Sequence, residues 1–377
     1  MITLSLLATL ASSQPTLAQD ARVPMDTGWT HLRDSRVENF RGQSVIRITA
    51  GMAIKRDVSL QDGTIEFDLM VTREPSFVSV AYRMASDEDF EMTYFRPHKS
   101  ALTDAVQYTP VWRGEANWQL YHGPGSTARL TFKPGEWMHV RLVLEGRRGA
   151  LFVGTDTAPV LLMSLARDAK PGYFGFAVDP GRDTTGLREP LARFANLVIR
   201  KGAVQYRFPP EARPSVREGL ITRWQLSPPF DAKPGPMEAI PDSALTGRTS
   251  WPEFSTEPNG VLVVGRYLPK PRGPSGVIAR LVVRTPTDGF QRLHLGFSDC
   301  VTVFVNGRPV FAGDARFSND NPRQEGVIGE HQALVWLPLK SGENEILLAL
   351  TEIFGGRGLM ARLEPADGAR LVFAPPR

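Results

Sequence analysis

The stretch that decides the fold class is Gly63-Thr64-Ile65-Glu66-Phe67-Asp68-Leu69-Met70-Val71. Every second residue from Ile65 to Val71 is apolar, and the positions between them carry mostly polar side chains. Successive side chains of a strand point to opposite faces, so a period of two places one apolar face against a core and leaves the other near solvent. The stretch therefore predicts a half-buried antiparallel strand.

The same pattern recurs along the first half of the chain. Further strands are predicted at 45–48, 77–84, 90–96, 128–132, 138–144, 150–154, 160–164, 173–178 and 194–200. Turn-forming residues such as Lys133-Pro134-Gly135 and Lys170-Pro171-Gly172 separate them, as expected between strands. No segment shows a sustained apolar repeat of 3.6 residues. Many short strands without helices predict an all-β sandwich.

A second series of strands follows a proline-rich break at Phe208-Pro209-Pro210-Glu211-Ala212-Arg213-Pro214. These strands are predicted at 220–226, 261–265, 277–284, 292–297, 301–305, 333–337 and 345–351. A chain of 377 residues is also long for one core and suggests two. We therefore expect a first domain at 24–203, a linker at 204–217 and a second domain at 218–377.

Two local features of the second domain can be interpreted from sequence. Asn306-Gly307 lies between the runs Val301–Val305 and Pro309–Phe311, which predicts a tight hairpin with a type I′ turn. Cys300 is the single cysteine, so no intrachain disulfide can form. It precedes a β-branched run, where we expect its thiol to be buried as a small apolar group.

The charge and the N-terminus bear on compartment and partners. The chain has 44 Lys and Arg against 40 Asp and Glu, scattered instead of clustered, so nucleic acid is not an expected partner. Residues 1–18 contain no charge and end at a small residue, Ala18. This predicts a signal peptide and export to the periplasm or outside the cell, although a basic n-region is missing. No other segment predicts a membrane span.

Both halves resemble known families. Residues 24–201 resemble the concanavalin A-like lectin/glucanase superfamily, in particular its laminin-G-like and domain-of-unknown-function 1080 modules. The segments that carry the resemblance are 62–68, 82–83, 94–98, 107–111, 117–120, 135–141 and 194–199. Residues 218–377 are similar to galactose-binding-like jelly rolls, through 304–311, 337–345 and 354–358. The resemblance implies two antiparallel β-sandwiches and a carbohydrate as partner.

A catalytic interpretation rests on Glu66-Phe67-Asp68. Retaining glucanases of this superfamily carry three acids on one strand, where two carboxyls about 5 Å apart suit double displacement. Met70 and Val71 occupy the positions of the third acid, so this strand supplies no general acid. We expect Glu66 and Asp68 to be two solvated acids on an outward strand face.

The segment from Tyr94 to His122 is the richest in aromatic and polar side chains. A sugar ring offers an apolar C–H face and a rim of hydroxyls, which suit a flat aromatic ring beside an arginine or a histidine. The candidate ligand-binding residues are Tyr94, Arg96, His98, Tyr108, Trp112, Arg113, Trp118, Tyr121 and His122.

The alternative is that Tyr108 and Trp118 are core aromatics and the others are ordinary surface residues. We expect the loop around Trp112-Arg113-Gly114-Glu115 to be exposed, so that Trp112→Ala weakens ligand binding without changing the melting temperature. His98 and His122 are predicted to lie in loops and are the two histidines to test as acid or base groups.

No metal or cofactor is expected. No two histidines have a metal-ligand spacing, and motifs for nucleotide binding or a hydrolase triad are absent from the sequence. Phe317-Ser318-Asn319-Asp320-Asn321 has oxygen-bearing side chains but not the spacing of a calcium loop, so a plain turn is the preferred interpretation.

Three functions remain open. The first is a non-catalytic protein that binds a glycan on the first sandwich. The second is a glycoside hydrolase or polysaccharide lyase of the same fold, with Glu91 or Glu115 as a non-standard acid. The third is a structural or protein-interaction module of the cell envelope. The sequence leaves the oligomeric state open.

Overall fold

The alternating stretch at 63–71 forms a nine-residue strand within the larger of two β-rich units. The structure is a computed structural model that describes residues 20–181, 183–187, 189–202, 204–210, 217–318, 325–364 and 372–373. The expected signal peptide at 1–18, the middle of the expected linker at 211–216 and loop residues 319–321 lie outside these ranges.

Within the described residues, the first unit is one antiparallel sheet of fourteen strands. They are β1 (Asp20–Arg22), β2 (Thr30–Phe40), β3 (Gln43–Leu60), β4 (Gly63–Val71), β5 (Phe77–Met84), β6 (Phe90–Phe95), β7 (Val106–Trp112), β8 (Glu115–Ala116), β9 (Thr127–Ala128), β10 (Met138–Glu145), β11 (Arg148–Val153), β12 (Leu161–Ser164), β13 (Gly172–Asp179) and β14 (Ala192–Lys201).

This sheet curls into a sandwich because strand β3 is shared by both layers. Its first part pairs with β14, and its second part pairs with β13. The path therefore runs β12-β11-β10-β4-β14-β3-β13-β5-β6-β7-β8. Inward side chains from the two layers, such as Phe67 of β4 and Phe95 of β6, belong to one buried cluster. Burial of such apolar surface is the main stabilising contribution to a sandwich.

The second unit contains two antiparallel sheets that enclose their own core. Its strands are β15 (Arg223–Leu226), β16 (Phe230–Asp231), β17 (Glu253–Ser255), β18 (Leu262–Val263), β19 (Ser275–Thr285), β20 (Gly289–Ser298), β21 (Cys300–Val305), β22 (Arg308–Asp314), β23 (Ala333–Leu339), β24 (Gly342–Thr351), β25 (Gly358–Glu364) and β26 (Val372–Phe373). Strands β18, β25, β20 and β23 form the four-stranded sheet, in that order.

Helix is confined to short turns in the described chain. They are one α-helical turn at Val264–Tyr267 and 3₁₀ turns at Pro97–Lys99, Asp242–Leu245 and Arg248–Ser250. No helix among the described residues is long and apolar enough to cross a bilayer. The expected all-β class with antiparallel sandwiches is confirmed.

The junction of the two units is part of the core. Val261, Val263 and Met360 come from the second unit but belong to the first unit's main apolar cluster. On the other side, the segment 204–210 joins no sheet. Its Tyr206 and Phe208 pack on the outer face of β10 and β11, where the ring centroids of Phe152 and Tyr206 are 5.1 Å apart.

Several sequence predictions require correction. The strand expected at 128–132 ends at Ala128, and the one at 261–265 gives way to the helical turn at Val264. Among the strands of six or more residues, β2, β7 and β25 were not predicted; the short strands β1, β8, β16, β17 and β26 were not predicted either. The hairpin at Asn306-Gly307 is confirmed, since both residues have positive φ, 50° and 79°, as a type I′ turn requires. Cys300 is fully buried as expected, and burial raises the pKa of its thiol to about 11.

Candidate functional site

The nine candidate residues divide between the core and the surface. The side chains of five, all at most 9% exposed, lie in the interior: Tyr94, Arg96, Tyr108, Trp112 and Tyr121. His98, Arg113 and His122 are exposed, and Trp118 is partly exposed. The alternative interpretation, in which Tyr108 and Trp118 are both core aromatics, is therefore correct for Tyr108 and wrong for Trp118.

The expectation that the loop at Trp112–Glu115 is exposed is only half correct. Arg113 and Gly114 are exposed at the tip, but Trp112 and Glu115 are each 8% exposed. Trp112 packs against Tyr121, with 6.4 Å between ring centroids. The exposed Arg113 uses its guanidinium to donate a hydrogen bond to the carbonyl of Gly265, at 2.8 Å, across the junction.

A buried glutamine organises the segment. Oε1 of Gln107 accepts hydrogen bonds from the Tyr94 hydroxyl at 2.7 Å and from Nη2 of Arg96 at 2.8 Å. Its Nε2 donates to the carbonyls of Trp118 at 2.7 Å and Tyr121 at 2.5 Å. Gln107 thereby fixes the backbone that presents Trp118. Nothing in the sequence distinguishes it from a surface glutamine.

Trp118 forms an aromatic patch with two residues of the second unit. Its ring centroid lies 5.9 Å from that of Phe317 and 6.1 Å from that of Phe354. Phe354 is 45% exposed and the adjacent Ile353 is 49% exposed. We call Trp118, Phe317, Ile353 and Phe354 the junction patch. It offers ring faces of the kind that sugars and other flat apolar surfaces contact.

Charged groups are linked to the Trp118 backbone through Gln107. Asp104 pairs with Nζ of Lys99 at 2.6 Å and with Nη2 of Arg96 at 3.2 Å. Arg96 in turn reaches Gln107, so the charges and the Trp118 backbone share one hydrogen-bonded network. A charge-assisted network of this kind holds donors and acceptors in fixed positions.

The pKa of each candidate histidine, His98 and His122, is lowered because the imidazole is partly desolvated, although both residues keep exposed surface. Burial lowers the pKa of His98, and the nearby Arg96 and Lys99 cations lower it further. Burial also lowers the pKa of His122, more than the carboxylates of Asp104 and Glu325 raise it. A neutral imidazole has one donor and one acceptor nitrogen; in His98 the acceptor Nδ1 already receives a 3.3 Å hydrogen bond from the amide of Ser76.

The two acids of the rival hydrolase hypothesis are buried. The Glu91 side chain has no exposed surface, accepts a 2.7 Å hydrogen bond from the Tyr108 hydroxyl and pairs with Nη1 of Arg83 at 3.4 Å. The Glu115 side chain is 6% exposed and pairs with Arg357 at 3.4 Å. A general acid must reach the substrate within hydrogen-bond distance, and neither carboxyl faces a surface where a polymer could bind.

Glu66 and Asp68 do face outward, as expected, but with partners. Nδ1 of His139 lies 2.9 Å from Asp68, and Asn196 donates to the same carboxylate at 2.6 Å. Arg200 pairs with Glu66 at 2.5 Å. Within the described ranges, no group of three His, Cys, Asp or Glu side chains is arranged to hold a metal ion.

Comparison with known proteins gives similarity in structure alone. No family model matches the chain, and no curated protein matches it. A carbohydrate-binding module CBM66 from Bacillus subtilis is 16% identical, with a TM-score of 0.35 over 46% of this chain and 96% of that one. A Bacillus subtilis protein with a galectin-like fold is 8% identical, with a TM-score of 0.36 over 48% and 94%. A Bacillus licheniformis β-glucanase is 12% identical, with a TM-score of 0.35 over 50% and 100%.

Proposed function

We propose that this chain is an exported, non-catalytic carbohydrate-binding protein that recognises a saccharide at the junction patch, to which the first sandwich contributes Trp118. The observation that carries the proposal is the partly exposed Trp118 ring, which lies in an aromatic patch with Phe317 and Phe354 and whose backbone carbonyl is held by Gln107. An apolar ring face with a polar rim is complementary to a pyranose. Export rests on the uncharged, apolar N-terminus.

Burial supports binding over catalysis. The acids that a hydrolase of this chain would use, Glu91 and Glu115, are each neutralised inside the protein by an arginine. The side chains of the segment that reach the surface include the indole of Trp118, the imidazoles of His98 and His122, the guanidinium of Arg113 and the ammonium of Lys99, which can contact hydroxyls. The third hypothesis, a protein-interaction module, differs in its partner and is decided by the same experiment.

The test is a glycan array with the purified full chain, followed by calorimetric titration of each glycan that binds. Trp118→Ala should weaken binding at least roughly tenfold, about the 1.4 kcal/mol that a stacked ring contributes. Leu162→Ala, which removes an exposed side chain from β12, is the matched control and should bind as the unaltered chain does.

Three results would contradict the proposal. They are the absence of saturable binding to any glycan, undiminished binding by Trp118→Ala, and release of reducing ends from a bound glycan. In the last case, loss of turnover in Glu91→Gln or Glu115→Gln would establish the hydrolase instead.

A further inference from the structure

The outer face of the four-stranded sheet is unusually apolar for a surface that no other described element covers. The inward residues of β20 and β23, such as Leu293 and Val335, fill the core of the second unit. Residues at the outward positions are normally polar. Instead, Phe290 is 59% exposed, Trp336 is 55% exposed and Leu334 is 49% exposed.

Strand pairing places these side chains on one flat strip. Trp336 of β23 is directly opposite Arg292 of β20, and Phe290 is opposite Pro338. Phe290 and Trp336 are therefore diagonal neighbours on adjacent strands, about 7–8 Å apart. Leu334 continues the strip opposite His294. The two aromatic rings thus follow one another along the face of the sheet.

Polar groups are interleaved with the rings and held in place. The Arg292 guanidinium lies 5.8 Å from the centroid of the Trp336 ring and pairs with Glu364 of β25 at 3.0 Å. Nε2 of His294 lies 2.9 Å from the same carboxylate. The strip therefore combines ring faces with hydrogen-bond donors and acceptors held in fixed positions. The Arg292 guanidinium has five N–H groups, so some remain to bind a ligand.

The area of the strip argues against a second copy of this chain as its occupant. Aromatic side chains bury about 150–250 Å² when fully covered, so these half-exposed residues offer on the order of 300 Å². A stable protein interface needs about 800 Å² from each partner. An extended polysaccharide is narrow and needs only a strip of ring faces with hydroxyl partners beside it.

We infer that the outer strip formed by Phe290, Arg292, Leu334 and Trp336 is a second glycan-binding surface, which accepts an extended polysaccharide of β-1,4-linked pyranoses. The flat C–H faces of such a chain stack on Trp336 and Phe290, and Arg292 and His294 bind its hydroxyls. The inference shares its ligand class with the proposed function but concerns a separate surface. Two surfaces on one molecule make binding to a polymer bivalent.

The experiment titrates the full chain calorimetrically with cellohexaose, xylohexaose and mannohexaose, and compares Trp118→Ala, Trp336→Ala and the control Leu162→Ala. A hexasaccharide that fits both surfaces should bind with a stoichiometry of two to the unaltered chain. Each tryptophan variant should retain one site. On the corresponding insoluble polymer, Trp336→Ala should bind at least roughly tenfold more weakly, because avidity is lost.

The outcomes separate this inference from the proposed function. One site that disappears in Trp118→Ala and persists in Trp336→Ala overturns the second surface and leaves the junction patch. One site that disappears only in Trp336→Ala supports the second surface and shows that the junction patch does not bind these hexasaccharides; the glycan array then decides the proposed function. No binding of any hexasaccharide overturns the second surface. A dimer in sedimentation equilibrium that Trp336→Ala dissociates also overturns it, since the occupant is then a second copy.

Discussion

Two tryptophans six residues apart have opposite environments. Trp112 is 8% exposed and packs in the main core, whereas Trp118 reaches the surface between Phe317 and Phe354. Burial of an indole contributes stability through both its apolar area and its packing. The two side chains therefore contribute to different properties, Trp112 to folding and Trp118 to the candidate site.

We predict that Trp112→Ala lowers the free energy of unfolding by about 3–5 kcal/mol, as cavities left by aromatic residues do. This reverses the expectation from sequence, in which the melting temperature is unchanged. Trp118→Ala is the matched control and should cost about 1 kcal/mol. Urea denaturation followed by circular dichroism measures both. Similar losses for the two variants would show that their environments do not differ.

Glu352 is an acid buried at the junction. Burial raises its pKa to about 8, the neighbouring Glu115 raises it too, and Lys270 opposes them. Its carboxyl also accepts a 2.8 Å hydrogen bond from the amide of Gly356 and lies 3.5 Å from Nε of Arg357. The folded state therefore holds a proton that the unfolded state releases above its ordinary pKa of 4.5.

The sign of the pH effect follows from this raised pKa. The contribution to stability is complete below pH 4.5 and is lost progressively as the pH rises to about 8, on the order of 5 kcal/mol. Glu352→Gln should flatten this decline when urea denaturation is compared at pH 5, 7 and 9. The exposed Glu238→Gln should keep the slope of the unaltered chain. If the free energy of unfolding of Glu352→Gln falls with pH as steeply as that of the unaltered chain, other titrating groups cause the loss of stability.

At the residue scale, the sequence does not show which aromatic residues of the segment from Tyr94 to His122 are buried. Tyr94, Tyr108 and Trp118 are all aromatic residues in a polar context, and which of them is buried depends on strands that cross from elsewhere in the chain. The structural role of Gln107 cannot be predicted from sequence for the same reason. Two of its hydrogen-bond partners are the backbone carbonyls of Trp118 and Tyr121, and every residue has a backbone carbonyl, so the sequence does not mark these two.

Strands are predictable from sequence where apolar and polar or small residues alternate without a break. Strand β5 was predicted with its observed bounds, and β4 and β10 within one residue. Strand β7 was missed although Gln107 and Thr109 alternate with Val106 and Tyr108, because Pro110 interrupts the run and proline argues against a strand. Strand β2 was missed for a different reason, since ten of its eleven residues are exposed or partly exposed and few apolar residues mark an inward face.

The hairpin of β21 and β22 depends on backbone geometry at one glycine. Gly307 has a φ of 79°, and a Cβ at this position would meet no atom within 4 Å. We predict that Gly307→Ala lowers the free energy of unfolding by about 1 kcal/mol, through the cost of the left-handed conformation alone. Thermal denaturation provides the measurement.

Gly289 supplies the matched control for that variant. It also has no atom within 4 Å of an added Cβ, but its φ is not positive. Gly289→Ala should therefore be neutral or slightly stabilising. If both variants lose the same stability, the loss does not come from the turn geometry.

The two units of the molecule are joined by buried polar contacts as well as by apolar packing. Glu115 and Gln119 of the first unit reach Arg357 and Asp299 of the second, and Gln119 bonds Asp299 at 3.1 Å. A Cβ on Gly355 would lie 2.3 Å from Gln119, so this approach requires glycine. These polar groups are shielded from water, so the hydrogen bonds between them are strong only while the two units stay together. We therefore expect these hydrogen bonds to break when the units separate.

Arg357 is the cation at the centre of this junction. It is 1% exposed and lies between Glu115 and Glu352, at 3.4 and 3.5 Å. Removal of one partner from a buried ion pair leaves the other charge uncompensated, at a cost of about 3–5 kcal/mol. We predict that the unaltered chain unfolds in one calorimetric transition and that Arg357→Ala unfolds in two, because the units no longer support one another.

The control for Arg357→Ala is Arg223→Ala, which breaks an exposed pair with Glu253 in the second unit. Exposed pairs contribute about 1 kcal/mol or less, so this variant should retain one transition at nearly the same temperature. If Arg357→Ala also unfolds in a single transition, the apolar contacts of Val261, Val263 and Met360 with the first core are sufficient to couple the units. The buried charges would then determine only the orientation of the junction patch, which the affinity of Arg357→Ala for a bound glycan would measure directly.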